Sequence, residues 1–379
     1  MTEAVAPEPP ARPRVAVVFG GRSSEHGVSC LTAGQVIAAI DRERYDVIPI
    51  GITPQGRWVL ESAQPERFAI GPEGLPHVDA TGADVVLTND PASRELVVRE
   101  PGQVPHTLGE VDVVLPLLHG PWGEDGTIQG LFEMAGVRYV GAGVLASAVG
   151  MDKQYMKLIF AAAGLCVLPY VVVRPSQWES ERDAVRASIA SLGVPLFVKP
   201  ARAGSSFGIS RVEDVGELEA AIEIARQFDP KVLVESAAIG ARELECGVLQ
   251  GLDRGAAEAS VVGEIVLQSD SGHTFYDFEA KYVDGGGKPQ VPADVSPRVA
   301  DDVRSSAVRA FEAIGGEGLA RVDFFLMPDE QLVINEINTM PGFTPISMFP
   351  SMWAASGVSY PALVDRLLRL ALERPLGLR

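Results

Sequence analysis

The chain has 379 residues, enough for two or three domains of roughly 100–200 residues each. Its composition, 46% hydrophobic and 22% charged, is that of a globular protein with a sizeable core. A formal net charge of −18 argues against nucleic acid or an acidic membrane as a partner, since both need a basic surface.

Residues 1–13 are acidic and Pro-rich and read as a disordered tail rather than a signal peptide. Residues 14–19 (RVAVVF) form a buried-strand run ending in Gly20-Gly21. A helix is expected over 29–40 and a second strand over 46–50, and such alternation signals a parallel α/β layer. Residues 52–110 are polar and turn-rich and show no decisive pattern. Another buried strand over 111–117 leads into the loop from Leu118 to Gly126, then a helix over 127–135 and a short strand over 137–140. This first unit is taken as 14–146.

A second unit, 147–238, opens with Asp152 as N-cap of a helix that Gly164 stops. Ser176-Gln177-Trp178-Glu179 reads as a capping box opening a helix to Gly193. Strands follow over 167–173, 196–199 and 232–235, with a Gly/Ser loop to Gly208 and a helix over 215–228. The third unit, 239–379, carries strands over 243–249 and 261–266 and a Gly-rich stretch, 269–292, whose length suggests a mobile lid. A helix over 296–314, a two-strand hairpin over 319–343 and an amphipathic helix over 360–373 complete it. Cys30, Cys166 and Cys246 fit neither a metal spacing nor a disulfide framework, so a reducing cytoplasm suits the chain best.

The hairpin LARVDFFLMPDEQLVINEINTMPGF is the most informative segment. Side chains alternate along a strand, so Arg321 and Asp323 share one face, as do Glu336 and Asn338. Two carboxylates and an amide oxygen make a hard oxygen set suited to Mg²⁺; the alternative is a polar face turned to water. Basic usage is lopsided, with six Lys among 32 basic residues and none before Lys153. Lys199 ends a strand before the loop Ala203-Gly204-Ser205-Ser206-Phe207-Gly208, whose backbone N–H groups can cradle phosphate oxygens; an ordinary hairpin turn is the alternative. With Lys153 and the downstream carboxylates, the consistent reading is ATP with a metal.

The Gly20-Gly21 loop lacks a dinucleotide spacing, and Glu25 in it better suits a substrate ammonium than a pyrophosphate. A plain strand-to-helix turn with a solvated Glu is the alternative. His119 sits at a strand tip, as a substrate contact or a loop His held by a backbone hydrogen bond. In the 269–292 stretch, Lys281 would face anionic ligand groups if that lid closes.

In this order, the motifs VVFGGRSSEHGVS, PLLHGPWGEDGTIQG, MDKQYMK, FVKPARAGSSFGIS, FEAKY, ARVDFF and NEINTMPGFTPISMFP resemble those of bacterial D-alanine–D-alanine ligases of the ATP-grasp superfamily. The resemblance implies a mixed α/β and α+β fold, a three-domain ATP-grasp architecture with an N-terminal parallel, Rossmann-like α/β domain. It implies ATP-driven joining of two D-alanines through an acyl phosphate, with ATP and two Mg²⁺ (or Mn²⁺) as cofactors and a homodimer as the assembly. A D-alanine–D-lactate or D-alanine–D-serine ligase is the alternative.

By the same resemblance, Glu25 grips the first ammonium, and Lys153, Lys199 and Lys281 hold ATP phosphates. Glu235 and Glu243 contact adenine and ribose; Asp323, Glu336 and Asn338 bind the metals. Arg321 and the Gly342 N–H stabilise the oxyanion, Ser347 and Met348 hold the second carboxylate, and Ser205 and Tyr282 tie the lid to Glu25. Ser236 stands where many relatives carry a Lys near adenine, and Ala203 where an acidic residue is common.

Overall fold

The structure is a computed structural model that describes residues 12–72, 74–88, 90–204, 206–267 and 287–377. The first sheet comprises β1 (Arg14–Gly20), β2 (Asp46–Ile52), β3 (Trp58–Leu60), β4 (Asp84–Leu87), β5 (Glu95–Arg99), β6 (His106–Glu110), β7 (Val113–Pro116) and β8 (Arg138–Tyr139). Their order is β6-β5-β4-β3-β2-β1-β7-β8. Around β1 the pairing is parallel, as expected. Val15 to Phe19 are buried on both faces, which is how an all-apolar run is accommodated. The sheet as a whole is mixed. The stretch from β3 to β6, undecided in the sequence, extends the sheet by antiparallel pairing.

The first helix, His26–Ala39, starts earlier than expected. Ser29, the anticipated opener, is buried: its hydroxyl accepts the Gly20 N–H at 2.8 Å and donates to the Leu117 carbonyl. His26 sets the start instead. Its Nδ1 lies 2.7 Å from the Gly21 carbonyl, and its Nε2 accepts the Val78 N–H at 3.1 Å. These two bonds hold the ring between Gly21 and Val78.

The second sheet holds β9 (Tyr170–Val173), β10 (Leu196–Pro200), β11 (Ser210–Val212) and β12 (Val232–Ser236), ordered β11-β10-β12-β9 and antiparallel throughout. Asp152 caps the helix Lys153–Ala162 as expected, accepting the Gln154 and Tyr155 N–H groups. Such a cap contributes about 1 kcal/mol. A further helix, Val144–Met151, precedes it. The expected capping box at Ser176 does not form. Pro175 takes the first helical position, so Ser176 lies inside the helix Pro175–Ser180, and a second helix, Arg182–Ala190, follows the break at Glu181. The box that does form pairs Asp214 with Glu217.

The third sheet holds β13 (Arg242–Leu249), β14 (Glu258–Leu267), β15 (Gly287–Gln290), β16 (Leu319–Leu326) and β17 (Leu332–Asn338), ordered β15-β14-β13-β16-β17. The helix Pro297–Ala313, capped by Ser296, packs its Val303, Ala307 and Phe311 into the core beneath it. The C-terminal helix Tyr360–Glu373 returns to the first sheet. Its Leu363, Leu367 and Leu368 share a core with Val15, Val17 and Phe19. Among the described residues no helix is long and apolar enough to cross a membrane.

Candidate functional site

The hairpin pairs as its alternation requires. Asp323 stands opposite Glu336, and Arg321 opposite Asn338. On the other side of β16, Glu245 stands opposite Asp323, so three carboxylates form a row across three strands. Arg321 grips Asp323 as a fork, Nε to Oδ1 at 2.7 Å and Nη2 to Oδ2 at 2.8 Å. Glu245 Oε2 lies 3.0 Å from the same Nε. Burial alone would lower the Arg321 guanidinium, but Asp323, Glu245 and Glu336 hold it well above its ordinary value. The solvated-face alternative does not survive this geometry.

Among the described residues no group of three or more His, Cys, Asp or Glu is arranged to hold a metal ion. The set that fits is two carboxylates, Asp323 and Glu336, with the Asn338 amide, all hard oxygen donors suited to a divalent cation. Asn338 presents its Nδ2 to Asp323 Oδ2 at 3.0 Å. The three groups are therefore already within reach of one another.

The lysines converge on this face from two other elements. Lys153 donates to the Ala203 carbonyl at 2.9 Å, and its ammonium lies 3.6 Å from Glu336 Oε2. It thus joins the loop that follows β10 to the carboxylate row on β17. Lys199 on β10 donates to Glu235 on β12 at 2.7 Å. Lys157, one turn beyond Lys153, pairs with the other oxygen of Glu235 and is 1% exposed. Burial pulls the Glu235 carboxyl up, yet Lys157 and Lys199 outweigh it and keep it ionised below the usual range. The two ammoniums diverge. Burial dominates at Lys157 and lowers it, whereas Glu235, Glu336 and Glu243 more than offset burial at Lys199 and raise it. The Glu235 side chain thus fixes two lysines. Glu243, expected beside the nucleotide, acts on Lys199 through its charge.

Glu25 directly precedes the first helix, wedged between two loops. A Cβ at Gly120 would lie 2.8 Å from Glu25 Oε2, and one at Gly204 would lie 3.3 Å from it. The bare glycines leave room for the carboxylate to sit close to both loops, and Gly120 has a φ of +73°, which favours glycine. Gly204 brings the phosphate loop to the expected ammonium site.

His119 is buried with Nδ1 3.2 Å from the Met340 carbonyl, so the backbone-held alternative holds for that nitrogen. Among the described residues its Nε2 has no hydrogen-bond partner. Burial lowers the His119 imidazole; Glu25 and the Met340 carbonyl oppose this. A neutral ring with the proton on Nδ1 leaves Nε2 as a buried acceptor near Glu25.

Gly342 follows Met340-Pro341 in the turn after β17. Ser347 and Met348 open the helix Met348–Ala355, where the Ser347 hydroxyl lies 2.8 Å from that of Thr344 and Met348 packs beside Gly263. They stand at a helix head, which favours a carboxylate, rather than in the ion-pair network. Ser205, Lys281 and Tyr282, with residues 269–286 of the expected lid, lie outside the described residues. Three further charged groups escaped the sequence reading. Lys157 was signalled by its spacing of four from Lys153. Glu245 was signalled by its alternation with Glu243 on one strand. Glu124 was signalled only by position, in the loop after His119.

These contacts bring Lys153 beside the carboxylate face of the hairpin, with Glu25 against the loops at Gly120 and Gly204. Comparison with known proteins assigns the arrangement to a class, the ATP-grasp ligases. Family models described as D-ala D-ala ligase N-terminus and D-ala D-ala ligase C-terminus match residues 14–142 and 159–369. The chain belongs to the D-alanine–D-alanine ligase family. It is 60% identical to a D-alanine–D-alanine ligase of Streptomyces coelicolor, over 97% of this chain and 95% of the relative. It is 55% identical to that of Mycobacterium ulcerans, over 97% and 98%. Among solved structures it is similar to the D-Ala:D-Ser ligase VanG of Enterococcus faecalis, with TM-score 0.81, 36% identity and coverage of 95% and 100%. It is also similar to the D-alanine–D-alanine ligase of Coxiella burnetii, with TM-score 0.75, 32% identity and coverage of 96% and 94%.

Proposed function

We propose that this chain is an ATP-dependent ligase that joins two D-alanines into D-alanyl-D-alanine for peptidoglycan precursors. The observation that carries the residue assignment is the Lys153–Glu336 approach at 3.6 Å, which sets a phosphate lysine against the cation-binding face. The carboxylate of the first D-alanine attacks the γ-phosphorus of ATP, giving an acyl phosphate and ADP. The amine of the second attacks the acyl carbon, loses a proton, and expels phosphate as the amide bond forms.

Glu25 holds the first substrate's ammonium, with His119 Nε2 as a second acceptor. Lys153 and Lys199 neutralise phosphate oxygens, and Lys157 with Glu235 keeps Lys199 in place. Arg321 and the Gly342 N–H meet the negative oxygen that develops at the acyl carbon, where preorganised donors act most strongly. The head of the helix Met348–Ala355, with Ser347, takes the carboxylate of the second D-alanine. Asp323, Glu336 and Asn338 would hold two Mg²⁺, with Mn²⁺ an acceptable replacement. These ions supply positive charge to the transferring phosphoryl oxygens when bound.

The domain boundaries we propose fall at 146/147 and 238/239, and the working form is a cytoplasmic homodimer. D-Alanine at the second site follows the curated relatives at 54–60% identity rather than VanG at 36%. A coupled phosphate-release assay across D-alanine, D-serine, D-lactate and L-alanine tests this. D-Alanine is expected to give the highest turnover. Release favouring D-lactate or D-serine as second substrate, or none with D-alanine, would overturn the assignment.

A further inference from the structure

Glu124 has no part in the chemistry set out above, yet it joins two pieces of the site that are 216 residues apart in sequence. Its Oε2 accepts the Gly120 N–H at 2.7 Å, and its Oε1 accepts the Met340 N–H at 3.1 Å. His119, from the same loop, reaches the Met340 carbonyl at 3.2 Å. Both main-chain polar groups of Met340 are thus held by one loop.

That loop is itself rigid. The Glu124 N–H bonds the Gly120 carbonyl at 2.9 Å, the Trp122 N–H bonds Asp125 Oδ2 at 2.8 Å, and Gln129 Nε2 donates to the Gly123 carbonyl at 2.8 Å. Beyond Met340 comes Pro341, whose ring fixes φ. With Met340 clamped and Pro341 stiff, the direction of the Gly342 N–H has little freedom left. At its other end, the Glu124 carboxylate holds Gly120, the residue that lies against Glu25.

We infer that Glu124 is a positioning residue that sets the Gly342 amide at a fixed place relative to the Glu25 ammonium site, and so serves the amide-forming step in particular. The inference rests on the ligase reading above. If Gly342 meets the oxyanion of the second step, loosening its turn slows attack on the acyl phosphate and leaves acyl-phosphate formation alone. A misplacement of about 1 Å at such a donor costs roughly 10²-fold. Burial, and next the charge of Glu25, push the Glu124 carboxyl up to about 8 against the Gly120 and Met340 N–H groups, which favour its ionised form.

The test separates the two half-reactions. Acyl-phosphate formation is read as oxygen-isotope scrambling within ATP at limiting D-alanine, and ligation as dipeptide formed. Glu124→Gln keeps the volume but places an amide N–H₂ against one backbone N–H. It is expected to scramble isotope at the wild-type rate, to keep the KM for ATP, and to lose roughly 10²-fold in kcat for dipeptide. Glu124→Asp keeps the carboxyl group but cannot reach both N–H groups, and gives the same split. Circular dichroism confirms that the proteins compared are folded. Wild-type dipeptide turnover in either variant overturns the inference, and so does an equal fall in both half-reactions, which marks a merely structural clip. Absence of scrambling in the wild type overturns the ligase reading instead.

Discussion

Arg321 and Asp323, two residues apart on one strand face, form a bidentate ion pair at 2.7 and 2.8 Å. Asp323 therefore spends both oxygens on a guanidinium in the arrangement seen here. A divalent cation on the same face competes for those oxygens. Glu245, 3.0 Å from Arg321 Nε, lies on the neighbouring strand on the other side of β16. It can keep hold of the guanidinium when Asp323 turns to a metal.

Loss of activity at Asp323 and Glu336 can therefore be told apart from loss of the fold. Asp323→Asn leaves Arg321 its Glu245 partner, and Glu336→Gln removes a carboxylate that is 28% exposed. Both variants are expected to stay folded by circular dichroism and to lose about 10²–10³-fold in phosphate release, as loss of charge stabilisation at a transferring group does. Near-normal activity at low Mg²⁺ in either variant would remove these residues from the metal set.

Glu245→Gln probes the anchor. The neutral amide leaves Arg321 with Asp323 alone, and a weakened buried charged hydrogen bond costs about 1–3 kcal/mol. The variant is expected to unfold at lower denaturant and to need more Mg²⁺ for half-maximal activity, because Asp323 is now the guanidinium's main partner. Unchanged denaturant and Mg²⁺ midpoints would show that Glu245 is a bystander.

The hairpin was legible because Arg321 alternates with Asp323 and Glu336 with Asn338, the register shift falling only beyond Asp323, and because its turn, Pro328-Asp329-Glu330, is unambiguous. Lys153, Lys199 and Glu25 stood out because each sits at an element's end, where local sequence says most. The β3 to β6 extension was not legible. Its strands are three to five residues long, half-buried and joined by polar turns, too short for either period to show. The start of the first helix was missed because His26 fixes it through Gly21 and Val78, a tertiary bond in place of a local cap. Glu245 and Glu124 act across strand pairing and loop contact, which spacing along the chain does not encode.

Lys157→Met tests the buried triad. Methionine nearly matches the volume and adds no polar group at a site 1% exposed. Glu235 keeps Lys199, so the fold is expected to persist. With one cation gone, Glu235 draws Lys199 more strongly, and that ammonium has less charge to give a phosphate. The KM for ATP should rise about tenfold, the effect of roughly 1.4 kcal/mol, with a smaller change in kcat. An unchanged KM for ATP would place the triad outside nucleotide binding.

The loop that carries His119 and Glu124 gives a two-sided pH dependence. Burial raises Glu124 from 4.5 to about 8, so the folded state holds a proton that the unfolded state releases earlier. That contribution to stability is full below pH 4.5 and is lost as pH rises to about 8. Burial lowers His119 from 6.5, so its contribution is full above pH 6.5 and is lost as pH falls below it. Glu25 adds to the rise at Glu124, while the Gly120 and Met340 N–H groups and Arg321 oppose it, and all of these act through the carboxyl that Glu124→Gln removes. Glu124→Gln should flatten the fall in stability between about pH 5 and 8 and leave the acid limb, whereas His119→Asn should flatten the limb below 6.5 and leave the other. Denaturant midpoints across pH 4 to 9 read both limbs at once. Curves for wild type and Glu124→Gln that run parallel would mean that the Glu124 carboxyl titrates in the folded protein as it does in the unfolded chain.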